Sequence, residues 1–223
     1  MADAVTIRID DASTVSGLID GPADVAAAYV FAHGAGADMA HPSMARMAEG
    51  LAQRGIAVLR YQFPYMERKS RRPDPPKVAH AAVRAAADFA ATRWPGARLF
   101  AGGRSFGGRM TSQAQAAGLL APLAGLVFIG FPLHPAGKPS IERAAHLRDV
   151  TVPMLFLQGD RDELAELSLL REALTPLAGR ATLELFADAD HSFHVRARSG
   201  QTDDSVRERM LDAIVRWCEA RTA

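Results

Sequence analysis

Arg98-Leu-Phe-Ala-Gly-Gly-Arg-Ser-Phe-Gly-Gly-Arg-Met-Thr-Ser112 joins a short apolar run, Leu99 to Ala101, to a glycine-rich corner and then to a segment with helical character. Within the corner, Gly103-Arg104-Ser105-Phe106-Gly107 is a G-x-S-x-G match, and its place between strand and helix is that of a nucleophile elbow. A serine on so tight a turn takes a strained backbone conformation that pushes its hydroxyl clear of both elements. Strand and helix then pass so closely that only residues without side chains fit, which accounts for Gly103 and Gly107. The helix starting after Ser105 points free N–H groups toward the same spot, where they favour developing negative charge.

Outward from the corner, the chain alternates strand and helix signals. Val5 to Ile9 alternates in strand fashion, and Ser16 to Pro22 supplies its partner and turn, which predicts a peripheral hairpin. Ala26 to Ala32 is a continuous apolar run and reads as a buried central strand ending at His33-Gly-Ala-Gly-Ala. Met44, Met47, Ala48 and Leu51 recur at helical spacing between Pro42 and Arg54, and Gly55 stops that helix. A strand at Ile56 to Tyr61 follows, then a loop over 62–76 rich in proline and basic residues. Val78, Ala82, Ala85 and Phe89 mark a second helix. Beyond the elbow come a strand over Gly125 to Phe131, a proline-rich loop over 132–140 and a short helix around Ile141 to Arg148. Strand at Val152 to Leu157, helix at Glu163 to Leu174, strand at Ala181 to Phe186 and a closing helix carrying Val206, Met210, Ile214 and Cys218 complete the chain. This alternation implies right-handed crossovers and an α/β fold: a mostly parallel central sheet of about seven or eight strands with helices on both faces. No repeat or long linker divides residues 1–223, so a single domain is expected.

Composition narrows the function. The 223 residues are 48% hydrophobic, enough for one sizeable core, and a net charge of +1 gives no strong field for nucleic acid or an anionic membrane. No apolar run approaches membrane-spanning length, and the N-terminus has no apolar signal-peptide core. The single cysteine, Cys218, excludes an internal disulfide, falls on the apolar face of the last helix and suits a reducing, cytoplasmic setting.

Open α/β sheets place ligands at the carboxyl ends of their strands. There the sequence puts His33-Gly34-Ala35-Gly36, Ser105, Gln158-Gly-Asp160-Arg-Asp162, and Asp188-Ala-Asp190-His191-Ser-Phe-His194. A serine, an acid and a histidine in that order can form a nucleophile, an orienting carboxylate and a general base. Either Asp160 or Asp162 fits as the acid, and His191 or His194 as the base. The glycine run after the first central strand lacks phosphate-loop spacing; it suits an oxyanion hole, with backbone N–H groups from Ala35 and from Phe106, the residue after the nucleophile. Phe63, Tyr65, Phe131 and His134, beside the two proline-rich loops, are the candidate substrate-binding residues. Arg68, Lys69, Arg71 and Arg72 form a basic run suited to a solvated loop.

With these motifs in hand, the chain resembles the α/β-hydrolase-fold serine hydrolases, in particular the dienelactone-hydrolase-like group. More narrowly it is similar to a compact family of bacterial hydrolase-like and eukaryotic testis-expressed proteins. His33-Gly-Ala-Gly-Ala, Phe63-Pro-Tyr-Met-Glu, Gly102-Gly-Arg-Ser-Phe-Gly-Gly-Arg, Phe131-Pro-Leu-His-Pro, Gln158-Gly-Asp-Arg-Asp and Asp190-His-Ser-Phe carry the resemblance, over about residues 25–221. It implies a catalytic set of Ser105, Asp162 and His191, no metal or other cofactor, little or no lid, and a small ester-type substrate cleaved by a monomer or homodimer. Dienelactone hydrolases proper use cysteine where this chain has Ser105. An ester or thioester is the leading substrate; an amide, peptide or lactone uses the same residues, and a hydrolase-like interaction module with little turnover is the alternative from outside enzymology.

Overall fold

The computed structural model describes residues 2–177 and 179–221. Its centre is an eight-stranded sheet in the order β1-β2-β4-β3-β5-β6-β7-β8. β1 (Asp3–Arg8) and β2 (Thr14–Asp20) form the expected hairpin, which joins β4 (Ile56–Tyr61) antiparallel at one side. All other pairings are parallel: β3 (Ala27–Ala32) lies between β4 and β5 (Arg98–Arg104), followed by β6 (Gly125–Ile129), β7 (Met154–Gly159) and β8 (Ala181–Phe186).

The unbroken apolar run of β3 follows from cover on both faces. Successive side chains of a strand point to opposite sides, so Ala28, Val30 and Ala32 enter one core while Tyr29 and Phe31 enter the other. The first core is closed by α3 (Pro76–Arg93) and α4 (Phe106–Ala116), the second by α1 (Pro42–Gln53) and α6 (Asp203–Glu219). Proline at the first helical position of α1 and α3 costs no hydrogen bond there. Thr202 and Ser205 form a reciprocal cap at the start of α6. Cys218 is buried on the inner face of α6, and that burial pushes its thiol up to about 12, a packing role.

Three elements depart from the sequence reading. A single helical turn, α2 (Pro64–Glu67), interrupts the loop expected over 62–76. The helix expected over 141–148 is a 3-10 helix, Glu142–Asp149. Helix α5 (Leu167–Leu174) begins four residues later than expected from Glu163, because Asp162 Oδ1 takes the Leu164 N–H at 2.8 Å and holds a turn there instead. No lid interrupts β6 and β7; a loop and the 3-10 helix connect them. Among the described residues no helix is long and apolar enough to cross a membrane.

Candidate active site

The glycine-rich corner packs as its composition requires. A Cβ on Gly103 would lie 2.4 Å from the Ala32 carbonyl oxygen, and one on Gly107 would lie 2.6 Å from the carbonyl oxygens of Ala32 and His33. These are backbone atoms that cannot step aside, so β5 and α4 meet against the end of β3 only through glycine. Ser105 sits at the apex with φ 48° and ψ −114°, a conformation rare for any residue with a side chain.

Three strand ends then converge. Ser105 Oγ lies 2.9 Å from His191 Nε2, and His191 Nδ1 lies 2.6 Å from Asp162 Oδ2. A carboxylate at Nδ1 keeps the imidazole proton on that nitrogen and leaves Nε2 free to accept from the serine. The Asp162 side chain is 0% exposed and that of His191 is 22% exposed, so the acid is shielded while the base faces the site. His191 is presented by a turn in which Asp190 Oδ1 accepts from the Ser192 and His194 N–H groups. Gly159 lets that turn approach β7, since a Cβ there would lie 2.3 Å from the Ala189 carbonyl oxygen.

The alternatives lie elsewhere. Asp160 is exposed, and its Oδ1 accepts the Asp188 N–H at 2.8 Å; it ties the β8 turn to β7. His194 lies on the surface against Asp203, 2.9 Å away, and hydrogen bonding to that carboxylate raises its pKa. One participant was not legible as such. Gln158 is fully buried at the end of β7, donates from Nε2 to Asp162 Oδ2 and accepts the Phe131 N–H at 3.0 Å. A lone amide closing the apolar run Met-Leu-Phe-Leu was the available signal.

The glycine loop after β3 is built on a neutral histidine. His33 Nδ1 donates to the Gly34 carbonyl at 2.9 Å and Nε2 accepts the Phe63 N–H at 3.1 Å, while burial lowers its pKa. Phe106 follows Ser105 at the start of α4, Ala35 lies in the loop after β3, and a Cβ on Gly34 in that loop would lie 3.7 Å from the Ser105 Cβ.

The four candidate substrate-binding residues are corrected by burial. Phe63 and Tyr65 are 0% exposed, Phe131 and His134 1% exposed, so none offers surface to a ligand. Phe63 packs edge-on against His33 and Phe106, with ring centroids 4.9 and 5.3 Å apart, and supports the loop from behind. His134 accepts the Glu166 N–H at 3.2 Å and its own N–H bonds the Leu164 carbonyl, which fastens the segment carrying Asp162. Of the basic run, Arg68 pairs with the buried Asp74, and the rest is exposed.

Comparison with known proteins places the chain in a family. A family model described as "Alpha/beta hydrolase domain" matches residues 25–219. The chain belongs to the α/β-hydrolase family. Solved structures agree with that assignment. An α/β serine hydrolase without a lid from Xanthomonas campestris is 25% identical, with a TM-score of 0.72 over 97% of this chain and 94% of that one. A dienelactone hydrolase from Anabaena variabilis shares the fold at 20% identity and TM-score 0.76, covering 95% of each chain. So does an esterase domain of a Rhodothermus marinus protein, at 18% identity and TM-score 0.69 over 97% of this hydrolase and 98% of that domain.

Proposed function

We propose that this hydrolase is a cofactor-independent serine hydrolase that cleaves a small carboxylic ester or thioester through an acyl-enzyme on Ser105, in a single domain. The observation that carries the reading is the hydrogen-bonded series Asp162–His191–Ser105, at 2.6 and 2.9 Å. Ser105 Oγ attacks the substrate carbonyl as its proton passes to His191 Nε2; Asp162 stabilises the imidazolium and keeps the ring aligned. The oxyanion that forms is held by the Ala35 and Phe106 N–H groups, the latter at the positive end of α4. His191 returns its proton to the leaving alcohol or thiol, and an acyl-enzyme remains. Water then adds by the same route: its proton goes to His191, the acid departs, and Ser105 recovers its hydrogen. The net reaction consumes one water and yields an acid and an alcohol or thiol.

The test is covalent. A fluorophosphonate probe is expected to label Ser105 on the wild-type chain. Ser105→Ala is expected to lose labelling and turnover while its thermal unfolding midpoint stays within about 2 °C, because only a partly exposed hydroxyl is removed. Labelling that persists in the variant would place the nucleophile elsewhere.

A further inference from the structure

Arg104, the residue before the nucleophile, makes no ion pair among the described residues. It closes β5, and burial pushes its guanidinium below the ordinary arginine range. Among the described residues its side chain makes one hydrogen bond, from Nη1 to Ser43 Oγ at 3.1 Å, and no ion pair. Asp190 and Asp162 act on it through space without ion-pairing to it; both Asp162 oxygens are engaged by Gln158, His191 and the Leu164 N–H, and Asp190 Oδ1 by two backbone N–H groups. Arg104 is partly buried, and a charge partly withdrawn from water favours an ionic partner. An unpaired guanidinium beside a nucleophile therefore marks a position for an anion.

A cavity of about 120 Å³ opens beside it, between α1 and α6. Phe31, Met44, Met47, Ile129 and Met210 give it apolar walls, and Arg104 brings the unpaired charge. The other charges around it are accounted for. Arg207 is paired with Asp204 and Glu208, and Asp203 accepts from His194 and the Val195 N–H. Arg46, exposed at the rim, adds positive charge. Ser192, next in sequence to His191, lines the cavity as well, and Arg104 links it to the nucleophile: a Cβ on Gly34 would lie 4.0 Å from the Arg104 Cγ and 3.7 Å from the Ser105 Cβ.

We infer that this cavity is a carboxylate subsite, so that the substrate is a short ester or thioester whose acyl chain ends in a free carboxylate bound by Arg104. The inference rests on the serine-hydrolase reading above. A guanidinium fork matches a carboxylate with two parallel hydrogen bonds, and the apolar walls suit the methylenes between the two carbonyl carbons. The volume limits the arm: a cavity of about 150 Å³ admits benzene and little more.

The experiment compares monomethyl glutarate with its neutral counterpart, in which a carboxamide replaces the free carboxylate. In the wild type, kcat/KM for the acid is expected to exceed that for the amide by about 10- to 100-fold, the span of a charged hydrogen bond. Arg104→Gln is expected to bring the ratio close to one, and Arg104→Lys to retain part of it. Glutarate itself is expected to slow fluorophosphonate labelling of the wild-type protein and to raise its unfolding temperature, and to do neither in Arg104→Gln. A wild-type ratio near one, with Ser105 labelling normally, overturns the subsite and leaves the hydrolase reading intact. Absence of labelling and of turnover on both esters overturns the hydrolase reading; stabilisation by glutarate through Arg104 then decides the subsite by itself, and its absence overturns it. If Arg104→Gln does not fold, the wild-type ratio and protection of Ser105 by glutarate carry the test.

Discussion

Asp160 and Asp162 follow the same strand, two residues apart, and their surroundings divide the work between them. Asp162 is withdrawn from solvent, with one oxygen between His191 and Gln158 and the other on the Leu164 N–H. Asp160 faces solvent and secures a turn. Asp162→Asn should therefore cut kcat by about 10⁴-fold, the size of effect seen when a serine protease loses its orienting carboxylate, because the amide favours the wrong imidazole tautomer. Asp160→Asn should change kcat by no more than about threefold, the scale of a surface substitution. Steady-state kinetics on the two variants, with unfolding curves to show both are folded, would expose the reverse ranking directly. The order of serine, acid and histidine along the chain was legible in sequence; the choice of Asp162 over Asp160 came only from the family resemblance, because its physical basis is Gln158 and burial. The same limit explains Phe63, Tyr65, Phe131 and His134. A strand end in sequence fixes where a residue is, and says nothing about whether its side chain turns toward the cleft or back into the core.

At the level of elements, the corner between β5 and α4 was the most legible part of the chain, since its glycines are imposed by backbone contact. Gly103→Ala would drive a methyl group to within 2.4 Å of the Ala32 carbonyl oxygen. Overpacking against backbone should cost about 3 kcal/mol. Gly96→Ala is the matched control, because nothing lies within 4 Å of a Cβ there and its backbone needs no glycine. Urea midpoints should fall clearly for the first variant and barely move for the second; equal shifts would mean that the corner relaxes. The strands were readable for a related reason: cover on both faces makes them uniformly apolar. α2 and the start of α5 were not, since both are set by single polar contacts. Asp74 Oδ2 takes the Tyr65 N–H at 2.7 Å in the first, and Asp162 takes the Leu164 N–H in the second. Hydrophobic periodicity carries no trace of such bonds.

Across the whole molecule, one face of the sheet is tied together by imidazoles held in the neutral form. His146, on the 3-10 helix, lies 2.7 Å from Ser112 Oγ on α4, and His80, on α3, lies 3.3 Å from Gln113 Oε1 on the same helix. Burial lowers the pKa of both; Arg109 adds to the effect, and His146 falls from 6.5 to about 4 despite a small opposing pull from Asp149. His33, at the start of the glycine loop after β3, is lowered by burial too. A folded-state pKa below the unfolded one means that the unfolded chain binds more protons, so stability rises with pH across the interval between the two values. For His146 that interval runs from about 4 to 6.5: stability should be full above it, decline as acid is added through it, and lose nothing further from this group below it. His194 works in the opposite sense, because Asp203 raises its pKa, but it is fully exposed and solvent screens the pair. Thermal unfolding followed across this pH range should therefore show a falling midpoint, and His146→Gln, which keeps a hydrogen-bonding group without a titrating one, should flatten the slope. An unchanged slope in that variant would move the acid sensitivity to the carboxylates, whose own losses begin at the lower end of the same range.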